Sequence, residues 1–104
     1  MKRGDIWWTN FPPPAGRRPA VLVSRNQAYR VRAAITVVSL TRTVRNIACE
    51  VPSGPADGVP RTSVANNDNI ATVPKVAVMK YLATLSPENL ARLERAIKFS
   101  LDLP

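Results

Sequence analysis

Pro19 opens an unbroken apolar run, Ala20-Val21-Leu22-Val23, which Ser24 closes and which Arg17 and Arg18 lead into. Proline fixes its own φ at about −65° and holds the preceding residue extended, so Arg18 stands at the rim where a strand begins. The run is short, about six residues, and rich in β-formers, which reads as a strand buried in a sheet or barrel. A guanidinium fixed on a rigid edge suits a phosphate-binding site. The same two arginines also suit a plainer role, keeping a sheet edge soluble. These eight residues alone leave both readings open.

The rest of the chain repeats the pattern of short β-rich runs between turns. Gly4–Thr9 reads as a first strand, and Asn10–Gly16 as a loop stiffened by Pro12, Pro13 and Pro14. The second strand runs from about Arg18 to Arg25, and Asn26–Arg32 is a turn or short helical excursion. Ala34–Thr41, dense in β-branched residues, is a third strand. Arg42–Arg45 is a basic turn. Alternation of Ile47, Cys49 and Val51 predicts a fourth strand over 46–51, and Pro52–Pro60 carries the strongest loop signal. Thr62–Ala65 and Ile70–Val73 read as separate short strands around polar Asn66-Asn67-Asp68-Asn69. Pro74–Tyr81 is ambiguous, one helical turn and then an edge strand through Thr84.

The last element is a helix. Ser86 suits the N-cap, Pro87 the first helical position, and Glu88 complements the dipole. Leu90, Leu93, Ile97 and Leu101 form one apolar stripe, with Glu88–Arg92 and Glu94–Lys98 spaced as i,i+4 pairs. A single domain over 1–104 is expected, mainly β with a C-terminal α-helix, in which five to seven short strands form a small barrel.

Charge narrows the partners. Fifteen Lys and Arg face seven Asp and Glu, a net charge of +8. Residues 1–61 hold ten of the bases and three of the acids, so the excess lies in the strand-rich part. It is carried by single and paired arginines on rigid elements, which match phosphate better than a lysine tail. A nucleic acid or an acidic polypeptide is the natural partner.

Inventory removes several chemistries. There is no histidine and only Cys49, so a zinc site and Ser-His-Asp or Cys-His catalysis are not expected. The acids are scattered, which argues against a two-metal carboxylate cluster, and none of the four glycines opens a helix as a phosphate loop would. No metal or other cofactor is expected. The lone cysteine, the absence of a run long enough to span a bilayer, and a start without a signal peptide's apolar core lead to the expectation of a cytoplasmic protein with no membrane association. RNA scission fits what remains. The RNA's own 2′-hydroxyl is the nucleophile, and the protein must hold the phosphate, stabilise its charge and move two protons. Arg18 can hold the phosphate, Thr41 can donate to it, and Asp68 is a candidate base, weak at its ordinary pKa.

Five segments in order carry a family resemblance: Lys2-Arg3-Gly4-Asp5-Ile6-Trp7, Arg17–Ser24, Val37-Val38-Ser39-Leu40-Thr41, Thr62–Val73, and Leu85-Ser86-Pro87-Glu88-Asn89-Leu90. Together they resemble the MazF/PemK toxin endoribonucleases of type II toxin–antitoxin systems. The resemblance implies an SH3-like barrel of the PemK/CcdB type and a metal-independent, sequence-specific endoribonuclease acting on single-stranded RNA. It implies 2′,3′-cyclic phosphate and 5′-hydroxyl products, a homodimer, and an acidic cognate antitoxin. Arg18 matches the family's catalytic arginine, Thr41 the phosphate-contacting threonine, and Asp68 an acidic position used in some members, with Asn69 beside it. Arg17, Arg42 and Arg45 stand as RNA-backbone contacts or as solubilising charge. Two departures follow. The loop from Asn10 to Arg17 holds no acid or histidine to serve as base, and Ala71 replaces a common arginine. Trp7 and Trp8 suit base stacking or core and interface packing, and Cys49 reads as a small buried hydrophobe. A non-catalytic nucleic-acid-binding barrel and a gyrase-poisoning toxin on the related fold are the competing functions.

Overall fold

In a computed structural model that describes residues 1–104, the chain forms six strands and two helices. They are β1 (Asp5–Asn10), β2 (Arg17–Leu22), α1 (Ala28–Val31), β3 (Ala34–Thr41), β4 (Glu50–Ser53), β5 (Ser63–Pro74), β6 (Val78–Thr84) and α2 (Pro87–Ser100). Short 3-10 turns at Pro55–Asp57 and Lys75–Ala77 precede β5 and β6. All paired strands are antiparallel, in the order β4-β5-β3-β2-β1-β6. No helix is long and apolar enough to cross a membrane.

The sheet buries both faces. Ile6, Val21, Val38 and Ile70 sit opposite one another across β1, β2, β3 and β5. With Leu40, Val51, Leu85 and Leu93 they form the larger core, beneath α2. Successive residues point to opposite faces, so Ala20, Leu22, Ile35 and Val37 form a second core with Tyr29 of α1. A buried carboxylate fastens the first strand to the last. Asp5 accepts from the amide of Lys2 (3.0 Å) and the hydroxyl of Thr84 (2.9 Å), which explains an acid among strand residues. Gly58 packs so closely that a Cβ there would lie 2.9 Å from the Ala83 side chain, with φ at 84°.

Several boundaries differ from the sequence reading. The fourth strand begins at Glu50 and runs through Pro52 to Ser53, while Ile47 is exposed; Pro52 is tolerated because β4 is an edge strand. Thr62–Ala65 and Ile70–Val73 belong to one long strand. The β3 partners step from Val38↔Ile70 to Leu40↔Ala65, so the polar residues between form a bulge that bends β5. Strand β2 stops at Leu22, before the expected Arg25.

Helix α2 has the expected cap, with the Asn89 amide donating to Ser86 Oγ (3.2 Å). Its apolar stripe is Leu90, Leu93, Ala96 and Ile97; Leu101 falls past the last turn and is exposed. Glu94 pairs with Arg3 (2.9 Å) rather than Lys98, tying α2 to the N-terminal segment, and Glu88–Arg92 forms no ion pair. Leu93→Ala should therefore lower unfolding free energy in urea by about 2–5 kcal/mol. Leu101→Ala should change it by less than about 0.5 kcal/mol.

Candidate active site

The site forms where β2 begins and β3 ends. Ala20, Val21 and Leu22 pair with Ser39, Val38 and Val37, and that register carried two residues further sets Arg18 opposite Thr41. On its other side Arg18 pairs with Thr9 of β1. A cavity of about 770 Å³ opens over these strand ends. Arg17, Arg18, Arg42 and Arg61 line it together with Thr41 and Trp8, and no Asp or Glu does. Four guanidiniums around a space with no carboxylate make an anion site.

Each side chain is held in a definite way. Arg18 is half-buried, and its Nη2 donates to the Ala15 carbonyl at 3.0 Å. That carbonyl belongs to the proline loop, which Phe11 and Gly16 close with a backbone bond of 2.9 Å. The stiff loop thus orients the guanidinium, whose other N–H groups are left for a ligand. Arg17 lies over the Trp8 ring, 5.0 Å from its centroid. Thr41 Oγ1 accepts from the Thr43 amide (3.2 Å), leaving its own hydroxyl proton to donate outward. The two tryptophans diverge: Trp8 faces the cavity, while Trp7 stacks edge-on against Tyr81 at 6.0 Å.

The structure therefore gathers Arg17, Arg18, Thr41 and Arg42. It adds Arg61, which the sequence reading had not singled out, and Trp8, which that reading left between base stacking and packing. A charge beside Pro60, in a loop long after β3, carries no local signal of this destination. Arg45, Asp68 and Asn69 lie outside the cavity lining. The backbone amides of Arg45 and Asn46 both donate to the Glu50 carboxylate at 2.9 Å, shaping the turn before β4.

Asp68 sits in the β5 bulge in a network of its own. The Cys49 thiol donates to its Oδ2 at 3.0 Å, and the Ser100 hydroxyl lies 2.8 Å from its Oδ1 and from the Asn67 carbonyl. The thiol bond first, and the hydroxyl second, hold the Asp68 carboxyl below its usual range, which makes it a poorer base. Asn67, fully buried, donates to the carbonyls of Cys49 (2.7 Å) and Ala65 (3.3 Å), so it pins the bulge. Cys49 is buried as expected, but as a hydrogen-bond donor as well as a small hydrophobe.

Comparison with known proteins gives a consistent picture. A family model described as PemK-like, MazF-like toxin of type II toxin–antitoxin system matches residues 2–101. A probable endoribonuclease MazF2 of Mycobacterium tuberculosis is 36% identical over 97 residues, covering 92% of this chain and 90% of its own. A probable endoribonuclease MazF5 of the same species is 33% identical over 102 residues, covering 96% and 92%. Among solved structures, the M. tuberculosis toxin MazF-mt6 superposes with a TM-score of 0.89 at 27% identity, covering 96% and 98% of the two chains. A mycobacterial endoribonuclease in complex with its cognate antitoxin superposes with a TM-score of 0.87 at 32% identity, covering 100% and 97%.

The Cys49–Asp68 bond makes stability sensitive to alkali. The bond to Asp68, then burial, then the nearby carboxylate charge raise the thiol pKa above its ordinary 9.0. A group raised on folding contributes fully below its unfolded value and loses that contribution as pH rises through its folded value. Burial likewise pushes Tyr29 up to about 12, so its loss begins only above its ordinary 10.0. Stability should thus begin to fall near pH 9, and Cys49→Ala should flatten that first decline. Urea midpoints across pH 7–10 check this.

Proposed function

The chain belongs to the PemK-like, MazF-like toxins of type II toxin–antitoxin systems, and from that membership we propose that its arginine-lined cavity binds and cleaves single-stranded RNA. It is an endoribonuclease toxin, as its relatives' names indicate. The observation that carries the site assignment is the set of four arginines and Thr41 around a cavity with no carboxylate.

Chemistry follows from that arrangement. The RNA's 2′-oxygen attacks the neighbouring phosphorus, the P–O5′ bond breaks, and a 2′,3′-cyclic phosphate and a 5′-hydroxyl result. Negative charge grows on the non-bridging oxygens as the five-coordinate state forms. Arg18, pre-oriented by Ala15, meets that charge, and the Thr41 hydroxyl donates to the same phosphate. Arg17, Arg42 and Arg61 hold flanking phosphates. Arginine stays protonated, so it stabilises and does not act as the base. No carboxylate, imidazole or thiol lines the cavity, so the 2′-hydroxyl proton leaves to a phosphate oxygen or water, and the departing 5′-oxygen takes a proton from the same phosphate or from water. Metal is not required for any of these steps. Asp68, bonded to Cys49 and Ser100, serves the fold of β4 and β5 rather than the reaction, and Asn69 and Arg45 stand outside the cavity.

An acidic antitoxin is the natural inhibitor of such a site, and the structurally similar mycobacterial endoribonuclease has been solved with its cognate antitoxin. A homodimer would cover the exposed apolar side chains of Phe99, Leu101 and Leu103 at the end of α2. The proposed setting is the cytoplasm, where RNA is available.

The defining assay is cleavage of a defined RNA by purified protein in EDTA. Expected products carry 5′-hydroxyl ends; tight binding without cleavage would leave only a nucleic-acid-binding barrel. Arg18→Ala should reduce kcat by about 10²–10³ with the fold retained, as for loss of one charge-stabilising donor. Asp68→Asn should leave kcat within about threefold while lowering stability, the loss expected for a structural hydrogen bond. An Asp68→Asn variant as impaired as Arg18→Ala would return the carboxylate to the mechanism. The pH–rate profile should lack the acidic limb that a carboxylate base would impose.

A further inference from the structure

The chain from Ile6 to Cys49 contains seven arginines and no acidic residue. Four of these, Arg17, Arg18, Arg42 and Arg45, lie at or near the cavity end of β2 and β3. The other three, Arg25, Arg30 and Arg32, lie in the connection at the opposite end, around α1. All three are exposed, and none makes a side-chain hydrogen bond or ion pair. Exposed Lys2 is drawn towards them, since the next amide, Arg3 N, donates to Asn26 Oδ1 at 2.7 Å. The Lys75 ammonium donates to the Tyr29 carbonyl beneath the same connection. The acids nearby are already engaged: Asp5 is buried with Lys2 N and Thr84, and Glu94 is paired with Arg3.

We propose that Arg25, Arg30 and Arg32 form a second RNA-backbone surface, which holds the substrate strand away from the cleavage cavity. The proposal rests on the RNA-cleaving function above and extends it from the cut site to the length of RNA engaged. The eight residues of β3 separate the two basic ends by about 27 Å, at about 3.4 Å per residue. A phosphodiester strand leaving the cavity carries one negative charge per nucleotide, so it meets this patch only when it is long enough to reach. Free guanidiniums without carboxylate partners bind such a strand with release of counterions and with little regard to sequence. The cavity selects where the RNA is cut, and the patch adds affinity for long, unstructured RNA over short fragments. Single-strand sites of about 4–16 nucleotides are found on OB-fold barrels, which sets the scale of the lengths to compare.

The test uses full-length protein and the triple variant Arg25→Gln, Arg30→Gln, Arg32→Gln, with all three positions exposed and outside the cavity. Binding is measured on 2′-O-methyl RNA, which lacks the nucleophile, at lengths of about 6 and about 30 nucleotides. On the long strand, affinity should fall about tenfold or more in about 0.15 M salt. The slope of log K against log salt should shrink by about 2, at about 0.7 per lost phosphate contact. Binding to the short strand and its cleavage as unmodified RNA should be unchanged. Equal losses at both lengths, or no loss at either, would overturn the proposal and leave the three arginines as solubilising charge. A wild-type protein that binds both strands but cleaves neither of their unmodified RNA counterparts would instead defeat the catalytic assignment while leaving the long-strand comparison decisive. Circular dichroism of the variant confirms that a loss is not unfolding.

Discussion

The pairing register of β1, β2 and β3 is the constraint on which the site depends. Ile6, Val21 and Val38 face one another beneath α2, and every other side chain on these strands takes its face from that row. Side chains alternate with a period of two and both faces are buried, so a slip of one residue would exchange Val21 with Ala20 and Leu22 between the two cores and carry Arg18 away from Thr41. The apolar core thereby decides which arginine stands opposite Thr41 and which lies over Trp8. The cost of misregister is the loss of a core, far more than the electrostatic preference of any one guanidinium. Positioning of Arg18 and Thr41 at the cavity is therefore inherited from packing.

The supports around the site divide between rigid and adaptable. Arg18 is held by a proline loop whose carbonyl takes one of its donors, so part of the cost of ordering its guanidinium is met during folding. Arg42 and Arg61 sit exposed on turns and keep their side-chain freedom. Such a division suits an enzyme that must place one phosphate closely while following the backbone of a variable strand. The bulge in β5 has a separate task. Asn67, Asp68, Cys49 and Ser100 bind the strand bend, the start of β4 and the end of α2 into one unit. A carboxylate spent on that joint is not free for proton transfer.

How far the sequence led depends on whether a signal was local. β3 was legible over Ala34–Thr41 because five of its eight residues, Ile35, Thr36, Val37, Val38 and Thr41, are β-branched and no glycine or proline interrupts them. Ser86 and Pro87 announced α2 through capping chemistry, and Arg18-Pro19 with Thr41 fell where the arginine-lined cavity opens. What failed was long-range. Alternation at Ile47, Cys49 and Val51 looked like a strand, yet Glu50 bends the preceding turn by accepting two amides, so pairing starts later. Asn66–Asn69 had the composition of a turn, and only its pairing with β3 and β4 reveals a bulge within one strand. Arg61 and Trp8 reach the cavity through tertiary placement, and Asp68 is drawn away by a cysteine 19 residues earlier.

The acid-free span from Ile6 to Cys49 has a thermodynamic side. To fold, β2, α1 and β3 must bring like charges together, and this self-repulsion subtracts from stability whenever no counter-charge is present. A polyanion that binds only the folded chain gives that energy back through mass action. The folding stability of this chain is thus coupled to its company, lower alone than with a polyanion seated on its basic faces.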